Sequence, residues 1–273
     1  MIKKPLCIFT TGLDAQNEQY AKKMLNSLYK TNPDIKKKAD VKFFKQQDAI
    51  QRGFTFINDL KMAYMTPIFM KDLLQEYECV VRLDADMIIT GDISSCWEGD
   101  FDVAVVQNAN PREIQTQQAM MGKVVQVWDI NAMDYVNCGF VVAKSEEFVD
   151  HWLKLCTPER RNVYQFYEQD FLNILVYYGN YKVKFLDRQP NNKWWNLISK
   201  QYGSQFELRD GKLILPDKSG DDREPWPIDG DKEIVCYHYA GGNQSPKFHD
   251  IDIRFQADVA SYLKGLISDE TPK

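Results

Sequence analysis

Residues 79–89 read Cys-Val-Val-Arg-Leu-Asp-Ala-Asp-Met-Ile-Ile. The first five are mostly apolar without alternation, which is typical of a buried strand in a parallel sheet. We expect this strand to lead into Asp84-Ala85-Asp86 and to continue as residues 87–89. Two carboxylates at the end of a buried strand are costly unless their charge is compensated, and oxygen ligands suit Mn²⁺ or Mg²⁺. The alternative is a surface turn in which aspartate caps backbone amides.

The segments before residue 79 alternate between strand-like and helix-like patterns. A continuous apolar run predicts the first strand, and Thr11-Gly12 after it predicts a loop. Apolar residues at three- and four-residue spacing predict an amphipathic helix, and Thr66-Pro67 can begin another. This order predicts an α/β fold with a parallel sheet built from βαβ units. The predicted elements are strands at 6–10 and 41–44, a helix that includes residues 20–28 and stops near Asn32-Pro33, and a helix from 66 to about 77.

The chain beyond residue 89 continues the α/β pattern, and its residue composition changes after residue 178. Apolar runs predict strands at 103–106, 140–142 and 234–237, and helical patterns occur at 146–155 and 166–177. After residue 178 the chain is richer in Gly, Pro and Asp, which predicts loops. We interpret this stretch as an extension of one domain, because 273 residues fit one large α/β domain.

The composition excludes several classes of protein. Hydrophobic residues make up 44% and charged residues 27%, which is ordinary for a globular chain rather than a disordered one. A net charge of −5 gives no electrostatic basis for binding nucleic acid or an anionic membrane. No apolar run approaches the roughly 18 residues of a membrane helix, so we expect no stable membrane insertion and no signal peptide. Six scattered cysteines predict reduced thiols and a cytoplasmic location.

Three further groups of polar residues stand next to apolar segments. His238 ends the last predicted strand, where its ring could reach a metal or could simply bond a backbone carbonyl. Glu168-Gln169-Asp170 opens an apolar helix and could act only as its cap. Asn137 and Gly139 precede a buried strand, and such a glycine allows a ligand or another backbone to approach. Each group alone leaves both interpretations open.

Taken in order, these segments resemble the retaining glycosyltransferases of the GT-A fold in glycosyltransferase family 8, which includes glycogenin and bacterial lipopolysaccharide galactosyl- and glucosyltransferases. The Leu-Asp-Ala-Asp stretch is the most specific piece. The resemblance implies a Rossmann-like, mostly parallel central sheet flanked by helices, in a single domain. The matching segments lie at residues 9–11, 83–89, 137–141, 168–173, 195–196 and 238–242.

The resemblance also implies a function and a division of the chain. The function is transfer of a hexose from a UDP-sugar, UDP-glucose or UDP-galactose, to an acceptor with retention of configuration. Residues 1–110 would form the nucleotide-binding half, 111–250 the sugar- and acceptor-binding half, and 251–273 a C-terminal helix or tail. The acceptor partner is left open between a glycan, a lipid-linked saccharide and a protein.

Individual residues take roles by the same resemblance. Asp84, Asp86 and His238 would hold Mn²⁺, or Mg²⁺, against the diphosphate of the UDP-sugar. Gln169 or Asp170 would lie beneath the anomeric carbon, where oxocarbenium-like charge develops. Chemistry alone favours Asp170 as a nucleophile, whereas Gln169 matches the family. The implied donor contacts are Thr10, Thr11, Gly12, Tyr20, Asp84, Ala85, Asn137, Gly139, Gly241 and Lys247.

The sequence departs from the family pattern at three places. Glu168 stands where an aspartate is usual, and Lys247 follows His238 later than the usual lysine does. Ile68 or Phe69 occupies the place of a common basic residue, with Lys71 close by. Two other functions remain open: a phosphatase of the haloacid dehalogenase type, whose Asp-x-Asp normally follows the first strand, and a UDP-sugar binder without catalysis.

Overall fold

A six-stranded sheet lies at the centre of the molecule. The computed structural model describes residues 2–52, 66–108, 127–130, 134–157, 160, 166–189, 192–196, 206–217, 230–239, 248 and 251–269. In spatial order the strands are β2 (Asp40–Lys45), β1 (Lys4–Gly12), β3 (Tyr77–Leu83), β6 (Val136–Ala143), β5 (Val103–Gln107) and β7 (Val183–Phe185). Strand β6 is antiparallel to both neighbours, and the other three pairs are parallel. The predicted mostly parallel α/β sheet is confirmed.

Helices cover both faces of this sheet. On one face lie α4 (Thr66–Glu76), α5 (Glu146–Leu155) and α6 (Glu168–Tyr178), where Phe69, Trp152 and Phe171 are buried. On the other face α1 (Ala15–Thr31) packs through Met24 and Leu28. The short helices α2 (Ile35–Lys38) and α3 (Gln46–Gln51) precede and follow β2 in the chain.

Two smaller sheets extend the second face. Strand β4 (Met87–Ile89) pairs antiparallel with β12 (Cys236–His238). A four-stranded sheet has the order β8 (Lys193–Trp194), β11 (Lys232–Ile234), β10 (Lys212–Leu215), β9 (Glu207–Arg209). Met87 and Ile89 pack towards the central sheet, whereas Ile88 packs with the outer layer, which includes α7 (Ile251–Arg254) and α8 (Ala257–Ile267). Strand β4 therefore joins the two layers.

Local sequence signals explain where two of the helices begin. Asp14 caps α1 by accepting a hydrogen bond from the amide of Asn17 at 2.7 Å, and Ser145 caps α5 by accepting from Phe148 at 3.1 Å. Aspartate and serine are among the preferred N-cap residues. Two glutamates in the first turn of α5 and Lys154 in its last turn complement the helix dipole.

The cysteines are free thiols, as predicted, and five of the six are buried. Burial raises the pKa of the Cys7 and Cys79 thiols to about 12, so these side chains act as small apolar residues. Within the described ranges, no helix combines the length and the hydropathy that a membrane-crossing segment needs.

Two predicted strands are wrong in their extent. The strand predicted to run through 87–89 ends at Leu83, because Asp84-Ala85-Asp86 turn the chain away from the central sheet. The strand predicted at 234–237 is divided at Val235. The Val235 amide donates to Trp194 and its carbonyl accepts from Thr90, so the two halves pair with different sheets.

Two predicted boundaries are also wrong. Thr11 and Gly12 belong to β1 rather than to a loop. Asn137 and Gly139 lie inside β6, not before it. A polar asparagine is tolerated in this buried strand because its side chain makes hydrogen bonds to Asn108, Gln169 and the amide of Gly139.

Candidate active site

Asp84, Asp86 and His238 lie together at the carboxyl end of β3. Each offers one ligand atom, and these atoms lie within 4.8 Å of one another. Nε2 of His238 is 3.1 Å from Oδ1 of Asp86 and 3.7 Å from Oδ2 of Asp84. The imidazole is buried and the two carboxylates are partly exposed. A set of two carboxylates and one imidazole suits a divalent cation such as Mn²⁺.

Strand pairing explains how residues 152 positions apart in the chain come together. The Asp84 amide donates to the carbonyl of Gly139 at 2.8 Å, which extends the pairing of β3 with β6. After the turn, β4 pairs with β12 so that His238 stands opposite Met87. The Tyr239 amide then donates to the carbonyl of Asp86 at 2.9 Å. Both sides of the cluster are therefore fixed by backbone hydrogen bonds.

Gly139 lines the cluster at very close range. A Cβ atom on this residue would stand 2.6 Å from Oδ2 of Asp84 and 2.7 Å from Cε1 of His238. The strand is irregular here, since the register of β6 against β5 shifts between Val105 and Val106. Only a glycine allows the backbone of β6 to approach the carboxylate and the imidazole in this way.

Arg82 holds Asp84 from within β3. Its side chain is 3% exposed, and it donates to Oδ1 of Asp84 at 2.7 Å and to the carbonyl of Cys138. Burial of the guanidinium lowers the pKa of Arg82. The carboxylate of Asp84, together with Cys138 and Glu168, has the larger opposite effect, so the pKa of Arg82 is raised. Arg82 is therefore charged and balances one of the two carboxylates.

His238 is fixed on its other side by Asn196. Nδ1 of the imidazole lies 3.0 Å from Oδ1 of Asn196, and both residues are buried. With the amide oxygen accepting the Nδ1 proton, Nε2 is left to face the carboxylates. Asp187 anchors this segment by accepting from the Trp195 amide at 2.7 Å, and burial raises the pKa of Asp187 to about 6.

Asn137 and Gln169 lie beside this cluster. Oε1 of Gln169 accepts from the side-chain amide of Asn137 at 3.1 Å and from the backbone amide of Cys138 at 3.1 Å. Oδ1 of Asn137 accepts from the amide of Gly139 at 2.7 Å. These bonds attach the first turn of α6 to the part of β6 that touches the cluster.

Asp170 is engaged differently, although it follows Gln169 directly. One carboxylate oxygen accepts from the hydroxyl of Tyr135 and the other from the amide of Phe166 at 2.9 Å. Burial raises the pKa of Asp170 to about 6, although the bond from Tyr135 acts in the opposite direction. Both oxygens thus hold the start of α6 in place.

Glu168 is a buried carboxyl beside Cys138, and the charge of Arg82 acts on it. It is 4% exposed, Sγ of Cys138 lies 3.5 Å from Oε1, and Oε2 has no hydrogen-bond partner among the described residues. Burial raises the pKa of Glu168 to about 8, while Arg82 lowers it. At neutral pH this carboxyl is therefore largely protonated and uncharged.

The predicted donor contacts in the first 20 residues lie at the end of β1 and on α1. Thr10 is fully buried, and its hydroxyl has no partner in the described part of the chain. Thr11 is half-buried. Gly12 packs against α1, where a Cβ would stand 2.8 Å from Cα of Glu18. Tyr20 is buried, with its ring 5.6 Å from that of Phe248.

The remaining predicted donor contacts are Ala85, Gly241 and Lys247. Ala85 lies in the turn between the two aspartates. Gly241 and Lys247 fall outside the described residues. Lys71, the basic residue of α4 nearest to the family position, pairs with Asp150 at 2.6 Å between two helices rather than with the cluster.

Two residues of the site were not predicted to act in it. Arg82 carried a usable signal, since a charge inside an otherwise apolar strand is costly unless it is paired. Asn196 was quoted only as part of a family segment, and no local pattern connects it with His238.

The comparison with protein families decides the assignment. The sequence model described as Glycosyl transferase family 8 matches residues 4–243. The chain belongs to this family. Membership of family 8 confirms the resemblance drawn from the motifs. It argues against the alternative that the chain is a phosphatase of the haloacid dehalogenase type. A search of curated protein sequences gives no significant match.

Solved glycosyltransferase structures share the fold of this family 8 chain. The galactosyltransferase LgtC in complex with donor and acceptor sugar analogs is similar with a TM-score of 0.56 at 14% identity, over 98% of both chains. An active-site mutant of LgtC gives a TM-score of 0.59 at 13% identity, again over 98% of both chains. The apo structure of the bifunctional WbbM gives 0.60 at 15% identity; 98% of this chain aligns, but it spans only 50% of WbbM. These similarities establish a GT-A fold.

Proposed function

We propose that this chain is a metal-dependent glycosyltransferase that moves a hexose from UDP-glucose or UDP-galactose to an acceptor with retention of anomeric configuration. The observation that carries the proposal is the cluster of Asp84, Asp86 and His238, with Gly139 against it and Gln169 beside it. Ligands of open α/β sheets bind at the carboxyl ends of the strands, which is where the cluster lies.

The residues of the cluster fit a divalent cation. Their ligand atoms are close enough to share one ion, and Gly139 leaves free the space that a Cβ would fill. A cation bound there supplies positive charge that offsets the charge growing on the diphosphate leaving group. We infer Mn²⁺, because the set includes an imidazole, with Mg²⁺ as the second candidate.

The end of β1 supports a nucleotide site next to this cluster. Phe9 is in register with Arg82, so Thr10 and Thr11 continue β1 alongside Leu83, the last residue of β3, and Asp84, which follows it. The hydroxyl of Thr10 has no hydrogen-bond partner among the described residues, so a ligand could satisfy it. We propose that Thr10, Thr11 and Gly12 contact the uridine.

Gln169 is the better candidate for the residue beneath the anomeric carbon. Its side chain is fixed by two hydrogen bonds to the strand that lines the cluster, which orients it before the sugar binds. Asp170 instead uses both carboxylate oxygens on Tyr135 and Phe166. We assign the sugar contact to Gln169 and the support of α6 to Asp170.

The acceptor we propose is a glycan hydroxyl. The support is the fold shared with LgtC, whose structure was solved with donor and acceptor sugar analogs. Lipid-linked saccharides and protein side chains are the other acceptor classes to include in a screen.

A donor panel tests this function. UDP-glucose, UDP-galactose and other UDP-sugars are incubated with Mn²⁺ and without acceptor, and released UDP is measured. We expect slow hydrolysis of one or two donors, lost in EDTA and in Asp84→Asn. The matched control is Asp100→Asn, which removes an exposed carboxylate paired with Lys182 just before the amino ends of β5 and β7, and we expect this variant to keep full activity.

Turnover that persists in EDTA or in Asp84→Asn would contradict the assignment of the cluster. Binding of UDP and Mn²⁺ with no turnover of any donor, even with the acceptor panel added, would identify a UDP-sugar binder instead.

A further inference from the structure

Arg82 is a charged residue in the interior of an apolar strand. Its side chain is 3% exposed, and its neighbours Val81 and Leu83 are almost completely buried. A charge in such a position is retained only where it is paired and hydrogen-bonded. Arg82 meets this condition by bridging two acceptors, Oδ1 of Asp84 at 2.7 Å and the carbonyl of Cys138.

The bridge selects which oxygen of Asp84 faces the cluster. Oδ1 is occupied by the guanidinium, while Oδ2 lies 3.7 Å from Nε2 of His238 and next to Gly139. The planar guanidinium donates in a fixed fork, so it links the carboxylate to the backbone of β6 at one orientation. A lysine at this position could reach one of the two acceptors but could not hold both in the same plane.

We propose that Arg82 is a positioning residue for the metal: it holds one oxygen of Asp84 so that the other is presented to the cation. The inference rests on the proposed function, since it takes the cluster to be a metal site. Arg82 also brings a fixed positive charge close to that site. Lys71, the nearest basic residue of α4, does not serve this purpose because it pairs with Asp150.

Orientation and charge have opposite effects on metal affinity, which makes the inference testable. A positive charge beside a cation site weakens metal binding, so its loss alone would strengthen binding. Loss of a group that orients a ligand typically weakens metal affinity by about tenfold to a hundredfold. We expect the loss of orientation to dominate, because Asp84 is partly exposed and its carboxylate can rotate away once Oδ1 is released.

The experiment measures Mn²⁺ binding directly, by electron paramagnetic resonance of free Mn²⁺ during a titration without nucleotide. The variants are Arg82→Met, which keeps an unbranched side chain, and Arg82→Lys, which keeps the charge. The expected result is weaker binding by about tenfold to a hundredfold in Arg82→Met and an intermediate loss in Arg82→Lys. The matched control, Lys71→Met, removes one charge from an ion pair elsewhere and keeps the wild-type affinity.

Unchanged Mn²⁺ affinity in Arg82→Met would overturn the proposal, and tighter binding would show that Arg82 acts only through its charge. Thermal melting establishes that each variant is folded. If Arg82→Met does not fold, Arg82→Lys decides, and wild-type affinity in that variant also overturns the proposal. A wild-type protein that binds no Mn²⁺, with or without UDP, would instead refute the proposed function itself.

Discussion

Replacing Gly139 by alanine would displace atoms of the cluster, and the structure gives the size of that displacement. The added Cβ would lie 2.6 Å from Oδ2 of Asp84, 2.7 Å from Cε1 of His238 and 2.8 Å from Oδ1 of Asn137. Ordinary contacts begin near 3.4 Å, so the nearest atoms must move by roughly 0.6–0.8 Å. Overpacking of this kind costs about 1–3 kcal/mol of unfolding free energy.

The effect on function should be much larger than the effect on folding. Metal sites tolerate deviations of only about 0.2 Å in ligand distances, and a misplacement near 1 Å can cost about a hundredfold in rate. We therefore expect Gly139→Ala to fold, to bind Mn²⁺ at least about tenfold more weakly and to lose about 99% of its UDP release. The assays are a Mn²⁺ titration, donor hydrolysis and urea unfolding of the same preparation.

The matched control is Gly265→Ala in α8. Apart from the nearby backbone of α8 itself, no atom of the described residues lies within 4 Å of a Cβ there, and alanine favours a helix over glycine by about 0.5–1 kcal/mol. This variant should be slightly more stable and fully active. If Gly139→Ala kept wild-type Mn²⁺ affinity and turnover, the close approach of Gly139 to the two ligands would have no role in the site.

Three other predictions follow from the same contacts. Asn196→Ala should weaken Mn²⁺ binding by about tenfold to a hundredfold and change the ¹⁵N shifts of the His238 imidazole in the metal-free protein, whereas unchanged shifts would remove Asn196 from that role. The pKa of Glu168 is about 8 in the folded state and near 4.5 in the unfolded chain, so between these pH values only the folded state keeps the proton. Because of this group, the free energy of unfolding falls as the pH rises from about 4.5 to about 8, by up to about 1.4 kcal/mol per pH unit. Urea unfolding at pH 5 to 8 should show that slope reduced in Glu168→Gln, and equal slopes would contradict the buried, neutral carboxyl. Gln169→Ala should lower turnover by about a hundredfold in a stable protein, whereas Asp170→Asn should cost about 1–3 kcal/mol of stability and little turnover; the opposite pattern would reverse the two assignments.

The order of the first elements could be predicted from the sequence because β1, β3 and β5 lie in mostly apolar runs. Residues 79–83 predicted β3, but the strand was expected to continue through 87–89. The break after Leu83 could not be predicted, because 87–89 are as apolar as the strand itself. Their direction is decided by pairing with β12, a segment about 150 positions later.

The cluster of Asp84, Asp86 and His238 was predicted more completely than its surroundings. Asp84, Asp86 and His238 each follow or end an apolar strand, which is a local pattern. The hydrogen bonds of Arg82 and Asn196 to this cluster depend on tertiary packing, and the periodicity of the sequence does not encode them.

The pair Gln169 and Asp170 shows the same limit. The two residues are adjacent in the first turn of one helix, and their chemistry alone favoured the aspartate. The structure separates them by their partners, since Gln169 bonds Asn137 in β6 and Asp170 bonds Tyr135. A one-residue difference on a helix is a rotation of about 100°, so neighbours in sequence face different elements.

The central claim is that Asp84, Asp86 and His238 bind a divalent cation together with the diphosphate of a UDP-sugar. The most direct test is calorimetric titration of UDP into the wild-type protein, once with Mn²⁺ and once with EDTA. The account predicts that UDP binds with Mn²⁺ and that its affinity falls by about a hundredfold in EDTA. Equal affinity for UDP under the two conditions would contradict it.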